Sequence, residues 1–507
     1  MKLTELLQGI PGEATQPIEA LEIANIAHQF SDITPGTLFI CLHGTQHDSH
    51  ALLPTLKNTG AVCAVVEQGC YTTLPADLPC FIVPSTRYAF ARIWSNACGT
   101  PSQGMRMIGI TGTNGKTSTA TMLYHIYREN GRRVALVGTV CSYLDGEVYL
   151  PQKDTGHRLT TMTTPDPDLL YPFLKVAKAR GIDTVIMEVS SHALALRKLE
   201  PIHFELALFT NLAPEHLDFH KTLEDYGAKK EKLFSMCDHA VINIDDPFGA
   251  SLASRVPCPV LTCGIRSDAD ARGIPCESEI EGITSYLYKM DEIRFLVKLK
   301  LPGIYSIYNS LLAATAAIQM GLPPCGVFRA LETLVRIPGR MEAVHSSLDD
   351  IQVYIDYAHT EAALTQLLKS ARALVKTGKL ILLFGCGGDR DTEKRAPMGE
   401  AAMRLADYTV ITSDNPRSEE PTAIIKEILI GHTAPERRKV ILDRKRAIAY
   451  AIEHAEAGDL ILLAGKGHET YEIVRGEIRP FDEKAIAVEA LAKRRLKREQ
   501  GETAHED

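Results

Sequence analysis

Ile108-Gly-Ile-Thr-Gly-Thr-Asn-Gly-Lys-Thr-Ser118 is a glycine loop ending in Gly-Lys-Thr, set between a short apolar run and a helical pattern. Met107 to Ile110 reads as a strand. Met122, Leu123, Ile126 and Tyr127 form an apolar stripe at helical spacing that stops at Gly131. In that context Gly112, Thr113, Asn114, Gly115, Lys116, Thr117 and Ser118 are expected to cradle phosphate. Glycines let backbone N–H groups close on an anion, the lysine reaches the β- and γ-phosphates, and the threonine hydroxyl can hold Mg²⁺. The loop is a variant, because the usual template places a glycine where this chain has Ile110, with Gly109 one step further back. The stretch predicts binding of ATP or GTP; its bland alternative is a turn that binds nothing.

A chain of 507 residues predicts about three domains. Hydrophobic content of 45% and charged content of 23% fit a soluble globular protein, and a net charge of −8 argues against a nucleic-acid partner. No apolar run approaches a membrane span, and Met1-Lys-Leu-Thr-Glu lacks the layout of a signal peptide, so no membrane insertion is expected. The twelve cysteines show no C-x-x-C pair and no zinc-like spacing. Cys41, Cys63, Cys80, Cys98 and Cys141 lie in or near apolar stretches and read as reduced small hydrophobes, which predicts a cytoplasmic protein.

Three α/β blocks emerge, 1–103, 104–337 and 338–507. The first holds the strand-like runs Leu38 to Leu42, Ala61 to Val66 and Cys80 to Val83, and ends at the polar connector Pro101-Ser-Gln-Gly104. In the second, Val134 to Val137, Thr184 to Met187, Leu206 to Phe209 and Ala240 to Ile244 read as buried strands of a parallel sheet. It closes at Ile337-Pro-Gly339. The third repeats the alternation with Val353 to Ile355, Leu380 to Phe384, Tyr408 to Thr412 and Leu460 to Ala464. The last three run into loops of the kind that bind ligands in open α/β sheets. The basic tail from Leu491 reads as a solvated helix end or frayed terminus.

Glu188 should stand at the carboxyl end of a strand beside the phosphate loop, where a Mg²⁺ ligand is needed. Ser190, Ser191 and His192 follow it. His216 and His220 have the spacing of one helix face, and on spacing alone a metal site and core histidines are both open. Lys229, Lys230 and Lys232 read by themselves as an exposed helix face. In the third block Gly385 to Asp391, Ser413 to Arg417 and Gly465 to Glu469 combine backbone N–H groups, an amide, a guanidinium and acids. Such a set suits a zwitterionic amino acid, and capped turns are the alternative.

Gly112-Thr-Asn-Gly-Lys-Thr-Ser118, Glu188-Val-Ser-Ser-His192, Asn211 with His216-Leu-Asp218, Asp356-Tyr-Ala-His-Thr360, Asp414-Asn-Pro-Arg417 and Gly465-Lys-Gly-His-Glu469 follow one another as in the Mur ligases. The chain resembles that family over nearly its whole length, and most resembles members that add a diamino acid. The resemblance implies an N-terminal uridine-nucleotide domain, a central ATPase domain and a C-terminal Rossmann-like domain. It implies that ATP phosphorylates the free carboxylate of the D-glutamyl residue of UDP-MurNAc-L-Ala-D-Glu. The acyl phosphate is then attacked by the amine of a diamino acid, within peptidoglycan precursor synthesis. A monomer working on small molecules is expected.

By the same resemblance Lys116 and two Mg²⁺ ions neutralise the transferring phosphate. Thr117 and Glu188 hold one ion, while His216 and a lysine carbamate formed with CO₂ hold the other. The pattern of aromatic spacing selects Lys230 as the carbamate, with Lys229 the alternative. Asn309, Arg340 and Asp356 look like ATP contacts. Arg390, Asp414, Asn415, Pro416, Arg417, Gly465 and Glu469 match the amino-acid positions. The Asp-Asn-Pro-Arg form favours meso-diaminopimelate over lysine, because Arg417 can pair with its second carboxylate. Thr45, Gln46, His47, Thr163, Thr164, Ser190 and Lys198 match the nucleotide-sugar and peptide positions.

Three departures fall in that last set. The family's Asp-Ser-Arg is replaced by Gln29-Phe30-Ser31, so a phenyl ring stands in place of a hydroxyl. Leu196 stands where some members have glutamine. Lys198, with Arg197 beside it, stands where an arginine is usual. A paralogous ligase with another acceptor or amino acid, and a non-enzymatic ATP-binding regulator, are the alternatives these departures raise.

Overall fold

The structure, a computed structural model, describes residues 1–44, 48–149, 162–277 and 283–499. Thr45, Gln46 and His47 therefore lie outside the described residues. Three main sheets draw on successive parts of the chain.

The Arg106–Thr111 strand lies between Phe204–Phe209 and Thr184–Glu188, with Cys237–Asn243 and Val134–Val137 flanking them, all parallel. These strands are near-continuous apolar runs because helices cover both faces. Alternation along the strand separates the two cores. Ile108 and Ile110 pack with Leu123, Ile126 and Leu311 from the Lys116–Glu129 and Ile304–Gln319 helices. Met107 instead packs with Val185, Phe204 and Leu174 on the side of the Pro167–Ala179 helix. Glu188 stands opposite Ile110 and Phe209 opposite Thr111, so three strand ends converge on the glycine loop.

The parallel reading is incomplete at the edges. Ala271–Cys276, Thr284–Met290 and Ile293–Leu299 extend the sheet as an antiparallel meander, and Ser142–Leu144 and Glu147–Tyr149 add a hairpin at the other end. Residues of Ile293–Leu299 alternate between exposed and shielded. A half-buried strand carries a weaker apolar signal than a buried one, which is why the sequence did not disclose it.

In the N-terminal sheet Asn25–Ala27, Thr37–Ile40, Ala61–Glu67 and Cys80–Val83 run parallel. The C-terminal sheet has the order Glu342–Ala343, Gln352–Asp356, Leu460–Ala464, Leu380–Phe384, Tyr408–Ile411, Arg438–Val440, parallel except for the short first strand. Its ligand-like loops leave three neighbouring strands at one end. Of the two readings of the basic tail, the helix end is the one observed as far as Glu499, with its apolar side docked rather than solvated. The tail belongs to the Glu483–Glu499 helix, Leu491 is buried, and Arg494 pairs with Asp350 at 2.9 Å. Among the described residues no helix is long and apolar enough to cross a membrane.

Candidate active site

The glycine loop is bolted to the end of the neighbouring strand. Thr113 N–H donates to the Asn211 carbonyl (2.8 Å) and Asn114 N–H to Asn211 Oδ1 (3.0 Å). Thr210 Oγ1 and Asn211 Nδ2 return hydrogen bonds to the Asn114 carbonyl at 2.6 and 2.9 Å. Gly112 has φ +144°, and a Cβ there would collide with Thr210 Oγ1. Gly115, at φ +86°, opens the Lys116–Glu129 helix, and a Cβ on it would lie 2.5 Å from Asn309 Oδ1. Both glycines are thus required by close approach as well as by backbone angle. Asn309 also accepts from Thr119 Oγ1 at 3.3 Å, which places this expected ATP contact against the loop. The helix presents its first N–H groups and its positive end to whatever sits in the cradle.

Lys116 Nζ folds back on the loop, donating to the Gly112 and Thr113 carbonyls at 2.9 and 2.7 Å. Lys230 Nζ donates to the same Gly112 carbonyl at 2.8 Å and lies 4.3 Å over the Tyr226 ring. This corrects the reading of an exposed lysine face, since Lys230 is only 1% exposed. Lys229, the alternative, turns outward and pairs with Asp225 at 3.1 Å. Burial and the neighbouring Lys116 hold the Lys230 amine well below the usual lysine range, against the pull of Glu215.

Glu188 is 1% exposed at the end of its strand. Thr117 Oγ1 donates to its Oε2 at 2.9 Å, while Thr139 supplies its N–H to Oε1 and its hydroxyl to Oε2, both at 2.9 Å. Arg340 Nη2 reaches Thr117 Oγ1 at 3.2 Å from the far side. Asp356 spends its carboxylate on the Met341 and Ala358 N–H groups, each at 2.8 Å, and so fixes the loop beside Arg340.

Glu215 was not among the residues that spacing or motif singled out. Its carboxylate lies 3.9 Å from His216 Nε2 and 4.0 Å from His359 Nε2, the latter brought from the C-terminal part of the chain. Burial would raise the Glu215 carboxyl, but His216, His359, Lys116 and Lys230 together hold it below the usual carboxylate range. His216 sits at φ +57°, a conformation costing about 1–3 kcal/mol in a non-glycine residue, at the start of the Leu217–His220 turn. His216 and His220 do not act as an i,i+4 metal pair. His220 is buried with Nε2 on Ser191 Oγ at 2.9 Å, and His216 faces the His192 and Tyr226 rings at 4.8 and 6.2 Å. Among the described residues no three His, Cys, Asp or Glu side chains are grouped to hold a metal.

Among the residues expected to bind the acceptor, Thr164 Oγ1 donates to the Glu188 carbonyl at 2.8 Å and receives Ser190 N–H at 3.0 Å. Thr163 meets Thr139 Oγ1 at 3.1 Å. Lys198 is 4% exposed and pairs with Asp166 at 2.8 Å, whereas Phe30 is 45% exposed. Thr163, Thr164, Ser190 and Lys198 are therefore brought together next to Glu188, and Phe30 is open to solvent.

The amino-acid loops converge as well. Asn415 Nδ2 donates to Glu469 Oε2 at 2.8 Å, and Asn415 Oδ1 accepts from Lys466 Nζ and Ile473 N–H, both at 3.0 Å. Lys466, fully buried, also donates to the Tyr471 carbonyl at 2.8 Å and lies 3.7 and 3.9 Å from the Asp414 and Glu469 carboxylates. Gly465 has φ +112°, and a Cβ on it would stand 2.6 Å from Asp414 Oδ2. Arg417 is held at φ +52° with Nη1 on the Gly388 carbonyl at 2.7 Å. Burial, and Arg390 next to it, lower its pKa. Burial and Asp414 raise the Glu469 carboxyl. The loop also packs against the segment that carries Arg340: a Cβ on Gly339 would stand 2.5 Å from the His468 backbone nitrogen, and burial with Arg340 nearby lowers the His468 pKa to about 4.

A glycine loop at the end of a strand in a largely parallel sheet, walled by loops from a second α/β sheet, is the architecture of a nucleotide-dependent ligase. The chain belongs to the Mur ligase family: residues 110–317 match the Mur ligase middle domain and 339–467 match the Mur ligase, glutamate ligase domain. It is 38% identical over 498 residues to the UDP-N-acetylmuramoyl-L-alanyl-D-glutamate--2,6-diaminopimelate ligase of Syntrophomonas wolfei, covering 97% of this chain and 99% of that one. The protein of the same name from Clostridioides difficile is 39% identical, over 97% of this chain and all of its own length. A solved structure of a ligase of that name superposes with a TM-score of 0.66 at 28% identity, covering 99% and 100% of the two chains.

Proposed function

We propose that this protein uses ATP to join meso-2,6-diaminopimelate to UDP-MurNAc-L-Ala-D-Glu, a step of peptidoglycan precursor synthesis. The observation that carries the reading is the wall shared by the two half-sites. Thr117 and Thr139 hold Glu188 beside the phosphate loop, Arg340 reaches Thr117 at 3.2 Å, and the Gly339 backbone next to Arg340 packs against His468 of the amino-acid loop. An acyl phosphate made on one side is therefore formed within reach of an amine bound on the other. The division of labour would follow the three blocks, 1–103 for the uridine nucleotide, 104–337 for ATP and 338–507 for the amino acid. A monomer acting in the cytoplasm fits soluble nucleotide substrates.

In this mechanism the helix N-terminus at Gly115 and the Lys116 ammonium hold the β- and γ-phosphates. Lys116 exchanges its two loop carbonyls for phosphate oxygens. The acceptor carboxylate attacks the γ-phosphorus, ADP leaves, and Arg340 and Lys116 balance the charge on the transferred group. The amine of diaminopimelate then attacks the acyl carbon and phosphate departs. Thr164 and Lys198 orient the acceptor, while Asn415, Arg417 and Glu469 orient the amino acid.

The oxygen donors Thr117 and Glu188, 2.9 Å apart, suit Mg²⁺, which binds through few carboxylates together with substrate phosphates. Mg²⁺ there would supply charge neutralisation at the transferring phosphate. A buried Lys230 with a depressed pKa offers the neutral amine that CO₂ needs, and its carbamate, with His216 across the Tyr226 ring, would complete an oxygen-rich second site. The test is incubation of the pure protein with ATP, Mg²⁺, the nucleotide dipeptide and diaminopimelate. ADP and nucleotide tripeptide are expected in equal amounts. Phosphate release with a non-uridine acceptor instead would favour a paralogue, the reading that exposed Phe30 and the replacement of arginine by Lys198 support.

A further inference from the structure

Away from the site, two thiols touch. Cys237 Sγ lies 3.6 Å from Cys258 Sγ. Cys237 opens the Cys237–Asn243 strand and Cys258 precedes Val260–Gly264, the parallel neighbour of that strand. The Pro247–Ala253 helix makes the crossover between them. Both sulfurs thus sit at the amino ends of their strands, the edge of the sheet opposite the phosphate loop. The two differ in access: Cys237 is 9% exposed within the apolar cluster of Leu233 and Phe234, whereas Cys258 is half-buried at its margin. One thiol is open to a small oxidant, and the other is shielded but in contact with it. Cys237 is otherwise tied by a weak bond to the Phe234 carbonyl at 3.6 Å.

We propose that Cys237 and Cys258 form a reversible oxidation site that closes to an intramolecular disulfide on exposure to a small hydroperoxide. The Cys258 sulfur attacks one oxygen of hydrogen peroxide. The O–O bond breaks, a sulfenic acid forms, and the departing hydroxide takes the thiol proton as water. The Cys237 sulfur then attacks the sulfenic sulfur. The S–S bond forms, the S–O bond breaks, and hydroxide leaves with the Cys237 proton as a second water. Two thiols lose two electrons and peroxide gains them. The sulfurs need to approach by about 1.5 Å to reach bonding distance, a movement the chain before the Val260–Gly264 strand can make by side-chain rotation. Closure ties the start of the Cys237–Asn243 strand to the segment that enters the Val260–Gly264 strand.

The test is peroxide treatment of the full-length native protein, blocking of remaining thiols with N-ethylmaleimide, and tryptic mapping without reductant. A species joining peptides 233–255 and 256–266 is expected, with two fewer labels, reversed by dithiothreitol. Peptide 256–266 also holds Cys263, so Cys258→Ser should abolish the cross-link and Cys263→Ser should keep it. Full labelling of Cys237 and Cys258 under conditions that already oxidise the exposed Cys276 and Cys325 overturns the proposal. So does a cross-link that survives Cys258→Ser or disappears with Cys263→Ser.

Discussion

Lys466→Met removes the cation around which the amino-acid loops are built. The ammonium has no exposure and serves four groups: Asn415 Oδ1, the Tyr471 carbonyl, and the Asp414 and Glu469 carboxylates. Removing one partner of a buried ion pair typically costs 3–5 kcal/mol, because the other charge is left uncompensated. Here the carboxylate separations of 3.7 and 3.9 Å are long, and Asn415 Oδ1 keeps the Ile473 N–H, so the lower end applies. A loss of about 3 kcal/mol, expressed on amino-acid binding at ~1.4 kcal/mol per decade, is roughly a hundred-fold rise in KM for diaminopimelate. The KM for ATP should stay within about three-fold, since Lys466 touches none of the phosphate-loop residues. Steady-state kinetics with each substrate varied, beside a thermal melt, separate these effects. Lys466→Gln, which keeps a donor for the carbonyls, should recover part of the loss. Equal rises in both KM values, or an unchanged diaminopimelate KM in a folded variant, would refute the reasoning.

Arg417→Ala should weaken use of diaminopimelate by about 30-fold or more, from the roughly 2–5 kcal/mol typical of a truncated guanidinium–carboxylate pair, and affect lysine much less. Equal losses for both amino acids would mean that Arg417 acts only by holding Gly388. Lys230→Ala should lose most turnover yet bind ATP, with partial rescue by short carboxylates, whereas Lys229→Ala should stay active; ATP titration and turnover assays distinguish the two. The raised pKa of Glu469 means that it is ionised above that value and neutral below it. The KM for diaminopimelate should therefore climb as pH falls, beginning above the ordinary glutamate range, and a pH series in Glu469→Gln should lose that inflection.

Much of the architecture was legible because it rests on local physics. The strand before Gly112, the helix after Gly115 and the buried runs at Thr184, Leu380 and Leu460 declare themselves through continuous apolar residues and glycine punctuation. Glu188 was readable for the same reason, since a carboxylate ending a buried run must stand at a strand end. The half-exposed meander from Ala271 to Leu299 was not, because its apolar residues alternate and its partners are fixed only by the sheet edge. Lys230 shows the limit most plainly. Its own neighbours describe a solvated helix face, and only the packing of the Leu223–Glu231 helix under the phosphate loop delivers its amine to the Gly112 carbonyl, 118 residues away in sequence. Glu215 is the same case, for nothing beside it forecasts His359 arriving from another sheet. Residue type and local spacing determined which groups this chain possesses and which strands carry them. Their burial, their charge state and the approach of Arg340 to Thr117 and of His359 to Glu215 were decided by tertiary structure, because desolvation and Coulomb interaction depend on distance in space, which sequence separation does not set.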